Sequence, residues 1–566
     1  MGKIKILNEI LTNKIAAGEV VERLVSVVKE LVENSIDAKS TNIKIDLLNS
    51  GIKEIKVTDN GSGMSKEDAL LSFSSHATSK IKNEQDLNFI ASLGFRGEAL
   101  ASIASVSEVI LKTSMGKKGT VINVKGGKIL KESVAPARKG TIIIVKNLFY
   151  NTPARLKHLS SLYHEQALIV DYINKIALSY PNISFSLTND KKSLFLTDGL
   201  GKQLKVIKEI YGIEVVKKML KIEGSNDDYE ISGFISYPEV TKSNRNSLIT
   251  LVNGRVVRNF ELNKALNEAY HTYKPEDRFP IVILNIKTDP SLIDVNIHPT
   301  KLDIKFSKFN DLKELIYQEI QSKLKSISLI PEIKEKEENY SYEEITLEIE
   351  RKVAEPVIDY SIFEELKEEE ESNKIPELYP IGAIQGTYLV CQNEKGMYLI
   401  DQHAANERIN YEYYLKKLGQ PTLEYTSLLV PITIELSNNE YLILKENMEV
   451  LINMGFEVDE IGINTILIRS HPLWLPKNYE EEAIRKIIDV LIIKEKDFRI
   501  EKFNESIAIM ISCKMSIKAN ENISIREMET LIDNLRSCLN PWTCPHGRPV
   551  IVFYSNYELE RMFKRS

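Results

Sequence analysis

Between Pro331 and Ile375 the chain carries 16 acidic and 6 basic residues, a net charge of −10, and its few apolar residues follow no regular spacing. Such a segment repels itself and has too little apolar surface to bury, so a disordered linker is expected, with transient helix at most around Phe363–Glu371. A single core therefore cannot run through all 566 residues. The length suits three or four domains. We place an α/β unit at 1–205, a second α/β unit at 206–330, the acidic linker at 331–375, and a further α+β module at 376–566. An inserted α/β subdomain is expected at about 432–500. The whole chain has a net charge of −6, so the parts outside the linker sum to +4. Those parts can bind phosphates locally, but simple electrostatic coating of DNA is not expected. Four cysteines, at 391, 513, 538 and 544, are too few for a disulfide scaffold and point to a reducing cytosol. No apolar run has membrane-spanning length, no signal-peptide pattern is present, and position 6 lacks the hydroxyl residue of a myristoylation motif.

In the first unit, apolar residues at 24, 27, 28, 31 and 32 recur with helical period. Glu30 and Asn34 fall one turn apart on that helix and share a face. A carboxylate there can accept a proton from water, and an amide oxygen can ligate a hard cation such as Mg²⁺. Taken alone, a solvated surface helix explains the same residues. The strand at Ile52–Val57 then runs into Asp59-Asn60-Gly61-Ser62-Gly63. Gly61 and Gly63 let the backbone approach a ligand closely, and Asp59 can accept from an exocyclic amine. Gly94-Phe95-Arg96-Gly97 forms a glycine-punctuated loop opening a helix, where backbone N–H groups suit phosphate. Lys139-Gly140-Thr141 precedes the apolar strand Ile142–Val145.

These elements resemble those of the GHKL ATPases, and within them the MutL family of DNA mismatch repair proteins. Ile15–Arg23, Lys29–Ala38, His76-Ala77-Thr78-Ser79-Lys80, Gly94–Leu100 and Phe149–Arg155 are similar to MutL motifs and follow in order. One Gly-rich match would be weak, but five in register are specific. Leu24 stands where the family usually has proline, which leaves the site chemistry untouched. The resemblance implies a GHKL (Bergerat) ATPase sandwich that binds ATP and Mg²⁺. In it Glu30 is the general base and Asn34 the Mg²⁺ ligand. Asp59 reads adenine beside Gly61, Gly63 and Thr141. Gly94, Phe95, Arg96 and Gly97 supply a lid, with Thr78, Ser79 and Lys80 nearby. It extends through Val252-Asn253-Gly254-Arg255, where Asn253-Gly254 is a hairpin signal, to Asp294–Lys301. It implies that Lys301 reaches the terminal phosphate from the second unit. The residues alone equally suit an exposed loop lysine at 301, and a structural role for His298 is preferred. Arg255 and Arg258 either contact DNA phosphates or solvate a strand edge.

Beyond the linker, Tyr379–Cys391 and Gly396–Ile400 read as two strands joined by a turn. In the segment that follows, Asp401-Gln402-His403-Ala404 leads into Glu407 and Glu412. His403 and Glu407 lie one helical turn apart, a spacing that suits two ligands of one metal, although a surface hydrogen bond explains a lone pair as well. Ser512-Cys513-Lys514 follows an apolar helical run, and Cys544-Pro545-His546-Gly547-Arg548-Pro549 sets a thiol and an imidazole two residues apart. Cys513 by itself reads as a small buried hydrophobe, as do Cys391 and Cys538.

Together with Phe563-Lys564-Arg565, these pieces resemble the C-terminal domain of endonuclease-competent MutL proteins, whose relatives without nicking activity lack the Asp401–Glu412 pattern. The resemblance implies a dimerisation and endonuclease domain with Asp401, His403, Glu407, Cys513, Cys544 and His546 around Zn²⁺ and/or Mn²⁺, Asp401 and Glu407 being catalytic. It implies a homodimer that acts on DNA in the cytoplasm, at the nucleoid, with the mismatch-recognition protein MutS. Thr426–Pro431 has the aliphatic pair and proline of a sliding-clamp-binding segment but lacks its glutamine. Two other classes remain open: an ATP-switched matchmaker or clamp whose C-terminal metal is structural, and another GHKL machine such as a topoisomerase subunit, a histidine kinase or a chaperone.

Overall fold

The computed structural model describes residues 21–74, 77–79, 97–157, 159, 161–271, 273–274, 278–294, 304–325, 375–418, 425–461, 464–477, 479–493, 500–516 and 523–564. Lys80, Gly94, Phe95, Arg96, His298, Lys301 and nearly all of the acidic linker lie outside them. The architecture is mixed α/β, with a large sheet layered against helices at the N-terminal end and a second α/β module towards the C-terminus. The chain divides into two compact units. One contains the described residues up to 327 together with Ser427–His471 and those of 491–496; the other contains those of 328–426, Pro472–Val490 and Asp497–Ser566.

The helical period at 24–32 is realised as helix α1, Leu24–Asp37, which buries Leu24, Val27, Val28, Leu31, Val32 and Ser35. Its neighbours are the strands β1 (Asn42–Leu48), β2 (Glu54–Asp59), β3 (Glu108–Ser114), β4 (Gly119–Lys125), β5 (Lys128–Ala135), β6 (Gly140–Lys146), β7 (Ser184–Asn189) and β8 (Lys192–Leu196). They form one sheet in the order β5-β4-β3-β6-β2-β1-β7-β8. The β1–β7 pair is parallel, while β1–β2 and β2–β6 are antiparallel. Strand alternation turns Ile43, Ile45, Leu47, Ile55, Val57, Val109, Leu111 and Val145 into the same core as the apolar stripe of α1. Helix α2, Leu162–Ser179, completes the layer. Arg23, just before α1, donates to the fully buried Glu165 of α2 at 2.7 Å, and Tyr172 of α2 donates to the Lys29 carbonyl at 3.4 Å. The position of α1 is therefore set by its apolar stripe and by α2.

The second α/β piece is a five-stranded sheet running Arg255–Val257, Leu248–Val252, Val282–Thr288, Tyr229–Ser236, Met219–Ser225. Its core joins Ile231, Leu262, Ile286, Leu312 and Ile316, the last two from helix Phe309–Lys325. Asn253 and Gly254 both have positive φ, 48° and 80°, which is the hairpin turn that the dipeptide signalled.

In the C-terminal module four strands, Tyr379–Ile384, Tyr388–Asn393, Gly396–Asp401 and Ile551–Ser555, make an antiparallel sheet in that order. The single strand expected at Tyr379–Cys391 is thus two strands. The break falls at Gln385-Gly386, whose φ values of 53° and 64° reverse the chain. Helices Gln402–Leu418 and Ile500–Ser516 pack against each other along their length. Part of the inserted segment, Tyr425–Glu435, Glu457–Ile461 and Thr465–Pro472, is a three-stranded sheet with helices Asn438–Glu446 and Met448–Asn453 between its strands. No described helix is long and apolar enough to cross a membrane.

Leu31 is 1% exposed at the centre of the α1 stripe. Leu31→Ala is expected to cost the N-terminal unit about 3 kcal/mol, read as a lowered urea midpoint of that unit. A loss below about 1 kcal/mol would mean that this face does not hold α1 in place.

Candidate nucleotide site and candidate metal centre

The first site is built where α1 meets the end of β2. Glu30 and Asn34 are half-buried on α1, one turn apart. Asp59 closes β2 and is 7% exposed. Its carboxylate accepts from the backbone N–H of Gly61 at 2.8 Å and of Thr141 at 3.3 Å, and from the hydroxyls of Ser35 at 3.2 Å and Ser40 at 3.3 Å. Burial pushes the Asp59 carboxyl above its ordinary range, against the lowering effect of those four donors. Ser35, Asp59 and Thr141 thereby tie α1, β2 and β6 at one point. Thr141 is held in turn by Thr113, whose hydroxyl lies 3.1 Å from its own and also accepts from the Met64 N–H at 3.0 Å.

Two glycines keep backbones close here. A Cβ on Gly63 (φ +71°) would sit 2.1 Å from the Ser114 carbonyl oxygen, and one on Gly140 (φ +113°) 2.2 Å from that of Asp59. Thr78 and Ser79 are exposed, and the Ala77 backbone before them lies against Gly97. The structure therefore ties Ser35, Asp59, Gly61 and Thr141 at one junction, with Asn34 next to Ser35 and Glu30 one turn before it on α1, and brings the Thr78 segment to Gly97, just before helix Ala99–Ser105. Arg258 lies 3.7 Å from Asp171 of α2. Sequence reasoning missed Ser35. The available signal was a polar residue continuing the apolar stripe at i+4 from Leu31.

The second site lies on helix Gln402–Leu418. Asp401 is the last residue of its strand, and its carboxylate accepts from the Ala404 N–H at 3.0 Å, capping the first turn of the helix. One turn on, Glu407 is 3% exposed. His403 Nε2 is 3.4 Å from one of its oxygens and His546 Nδ1 is 3.3 Å from the other. His403 Nδ1 lies 3.0 Å from the Ser516 carbonyl, which fixes the ring against helix Ile500–Ser516. That helix buries Phe503, Ile507, Ala508 and Ile511, and this packing delivers Cys513. Donor atoms of Glu407, Cys513 and His546 all fall within 4.8 Å of one another. Burial and the neighbouring Glu407 carboxylate push the Cys513 thiol up, opposed by the charges of Lys486 and Arg548.

A carboxylate, a thiol and an imidazole at this separation are a donor set suited to Zn²⁺, and the carboxylates also suit Mn²⁺. Asp401, His403 and Cys544 lie outside the close group. Cys544 is 2% exposed in the apolar cluster of Leu389, Ile400 and Ala405. Its carbonyl accepts from Gly547 N–H at 2.9 Å, forming the turn that presents His546. Cys391 and Cys538 are buried, and burial pushes the Cys391 thiol up to about 11.

Two further residues hold this loop in place. Arg408 donates to the Thr543 carbonyl at 2.6 Å, and Glu412 accepts from the N–H groups of Leu539 at 2.7 Å and Asn540 at 3.1 Å. One face of the helix thus carries His403 and Glu407, and the next turns fasten the segment that brings His546. Arg408 was not singled out in the sequence, although its i+4 relation to Glu412 was there to be seen.

Comparison with known proteins matches residues 22–147 to the model for the histidine kinase-, DNA gyrase B- and HSP90-like ATPase domain. Residues 207–325 match that for the DNA mismatch repair protein C-terminal domain, and 381–523 that for the MutL C-terminal dimerisation domain. The DNA mismatch repair protein MutL of Listeria innocua is 46% identical over 595 residues, covering 99% of this chain and 98% of the relative. That of Anoxybacillus flavithermus is 45% identical over 608 residues, covering both chains completely at 100%. That of Listeria monocytogenes serovar 1/2a is 47% identical over 593 residues, covering 99% of this chain and 98% of the relative. At 45–47% identity over near-complete lengths, this chain belongs to the MutL family of DNA mismatch repair proteins.

Proposed function

We propose that this protein is a homodimeric mismatch repair factor that hydrolyses ATP slowly as a switch and nicks one DNA strand at a metal site in its C-terminal module. The convergence of Glu407, Cys513 and His546 from three separated segments is the observation that carries the nuclease part.

At the nucleotide site, Glu30 polarises the attacking water and Asn34 offers an amide oxygen to Mg²⁺. Asp59 accepts from the adenine exocyclic amine, at a carboxylate already oriented by Ser35, Ser40 and the Gly61 and Thr141 N–H groups. Gly61 and Gly63 let the turn after Asp59 pack closely on Ala38 and Ser114 beside the nucleotide, and Thr78, Ser79, Lys80 and Gly94–Gly97 close over it. Lys301 contacts the terminal phosphate from the second domain. ATP closes the N-terminal domains of the dimer, and hydrolysis reopens them. The working boundaries are 1–205, 206–330, 331–375 and 376–566.

At the C-terminal site, Glu407, Cys513 and His546 hold the metal, with His403, Asp401 and Cys544 completing the set. A Zn²⁺ or Mn²⁺ ion bound there supplies an acidified water and charge stabilisation at phosphorus. Asp401 and Glu407 orient the attacking water and take its proton. His403 is kept in position by the Ser516 carbonyl, and Arg408 and Glu412 keep His546 in register. Dimerisation through the C-terminal module is supported by the exposed apolar residues Ile381, Ile384, Tyr388, Val552 and Phe553 on its sheet strands. Leu429 and Val430, on strand Tyr425–Glu435, are almost fully exposed and suit docking on a sliding clamp. The mismatch-recognition protein MutS is the proposed upstream partner.

Glu30→Ala is expected to bind ATP normally and to lose at least about a hundredfold in turnover, measured by nucleotide binding and phosphate release. Wild-type turnover in that variant would remove Glu30 from the mechanism. Asp401→Asn is expected to keep ATPase activity and to lose nicking of supercoiled plasmid in Mn²⁺. Intact nicking would exclude Asp401 as catalytic. Absence of nicking in the wild type as well would favour a matchmaker whose C-terminal metal is structural.

A further inference from the structure

Ser427–His471 follows the acidic linker in sequence yet packs into the N-terminal compact unit. Its helix Asn438–Glu446 lies along α2. Leu442 is 6% exposed within the N-terminal core cluster, and Ile443 packs against the same cluster. Beside them Lys242 Nζ lies 2.6 Å from Glu440 Oε2, with side chains only 16% and 8% exposed. Glu440 also accepts from the Ser437 N–H at 2.9 Å, so the carboxylate caps its own helix while it pairs across the seam. Burial would raise the Glu440 carboxyl, but Lys242 and the Ser437 hydrogen bonds hold it below its ordinary range. With Ile210, Tyr211 and Ile249 at its floor, the cleft beside this pair is lined mainly by polar side chains, among them Asp171, Asn174, Lys175, Asn244, Asn246 and Asn439. Side chains of that kind are readily solvated, as in interfaces that open and close.

The same α2 faces α1. Tyr172, next to Asp171, donates to the Lys29 carbonyl at 3.4 Å, one residue before Glu30, and Glu165 holds Arg23. Burial, with the carboxylates of Glu33 and Glu30, pushes the Tyr172 phenol well above its ordinary range. One helix of 18 residues thus touches the inserted segment along one side and the proposed base-carrying helix along another.

We infer that the surface formed by α2 and the neighbouring strand Thr241–Lys242 is a docking site for helix Asn438–Glu446, and that docking steadies α1 through α2 and raises turnover at Glu30. The second half rests on the proposed role of Glu30; the first does not. A general base loses efficiency when its support loosens, because the near-attack geometry is then visited less often. Lys242–Glu440 makes the docking specific, since a buried charge left without its partner strongly opposes the seam.

The test uses the full chain with Lys242→Glu, Glu440→Lys and the reciprocal double variant. Small-angle X-ray scattering reads compaction, and steady-state kinetics reads ATP turnover. Each single reversal is expected to raise the radius of gyration and to lower kcat by about fivefold or more, and the double swap to restore both. Unchanged scattering in both single variants, or no recovery in the double, would overturn the docking site. Lost compaction with unchanged kcat would overturn the coupling to α1. If Glu30→Ala retains turnover, the scattering result still decides whether the docking site exists.

Discussion

Each half of this chain is arranged around one carboxylate removed from water, and the way each charge is compensated separates the two chemistries. A buried carboxylate requires hydrogen-bond donors or counter-charge. Asp59 receives four donors from the protein itself: two hydroxyls and two backbone N–H groups. It is a finished, rigid acceptor, suited to reading a ligand amine. Glu407 is equally buried, but the groups nearest its oxygens are two imidazoles, and one of them, that of His546, forms a close group with it and the Cys513 thiol. Imidazoles and thiols are metal ligands before they are carboxylate solvators, and their gathering around one acid is what a cation would organise.

The supporting structure follows from those two constraints. Ser35 places a hydroxyl on an otherwise apolar helical stripe because Asp59 lies beneath it. Gly140 has no Cβ because the Asp59 carbonyl occupies that space. In the C-terminal module, Arg408 and Glu412 spend their side chains on backbone groups of Leu539, Asn540 and Thr543. The effect is to hold a turn, so that a residue 139 positions from Glu407 in sequence meets it at 3.3 Å. Fastening of this kind lets a loop carry a ligand with the precision of a helix.

Much of this was legible in the sequence where the signal is periodic or tied to a particular residue type. The spacing of Leu24, Val27, Val28, Leu31 and Val32 specified α1 and its buried face. Asn253-Gly254 specified a hairpin. The i, i+4 pair His403 and Glu407 specified two groups on one helical face. Glu407, Cys513 and His546 meet through tertiary packing of two helices and a turn, so local pattern alone does not bring them together; the motif resemblance supplied that expectation. The strand break at Gln385-Gly386 was missed because the flanking residues are apolar and β-prone, and only the backbone reversal reveals the turn. Ser35 and Arg408 were missed for a related reason: each acts on a partner far away in sequence.

The central claim is that Glu407, Cys513 and His546 form a metal centre, and metal content tests it most directly. Full-length protein purified without chelator is expected to retain about one transition-metal ion per chain, measured by elemental mass spectrometry, and Cys513→Ser to lose most of it while remaining folded. A wild-type protein free of transition metal after exposure to Zn²⁺ and Mn²⁺, or a Cys513→Ser variant that holds as much as the wild type, would contradict the account.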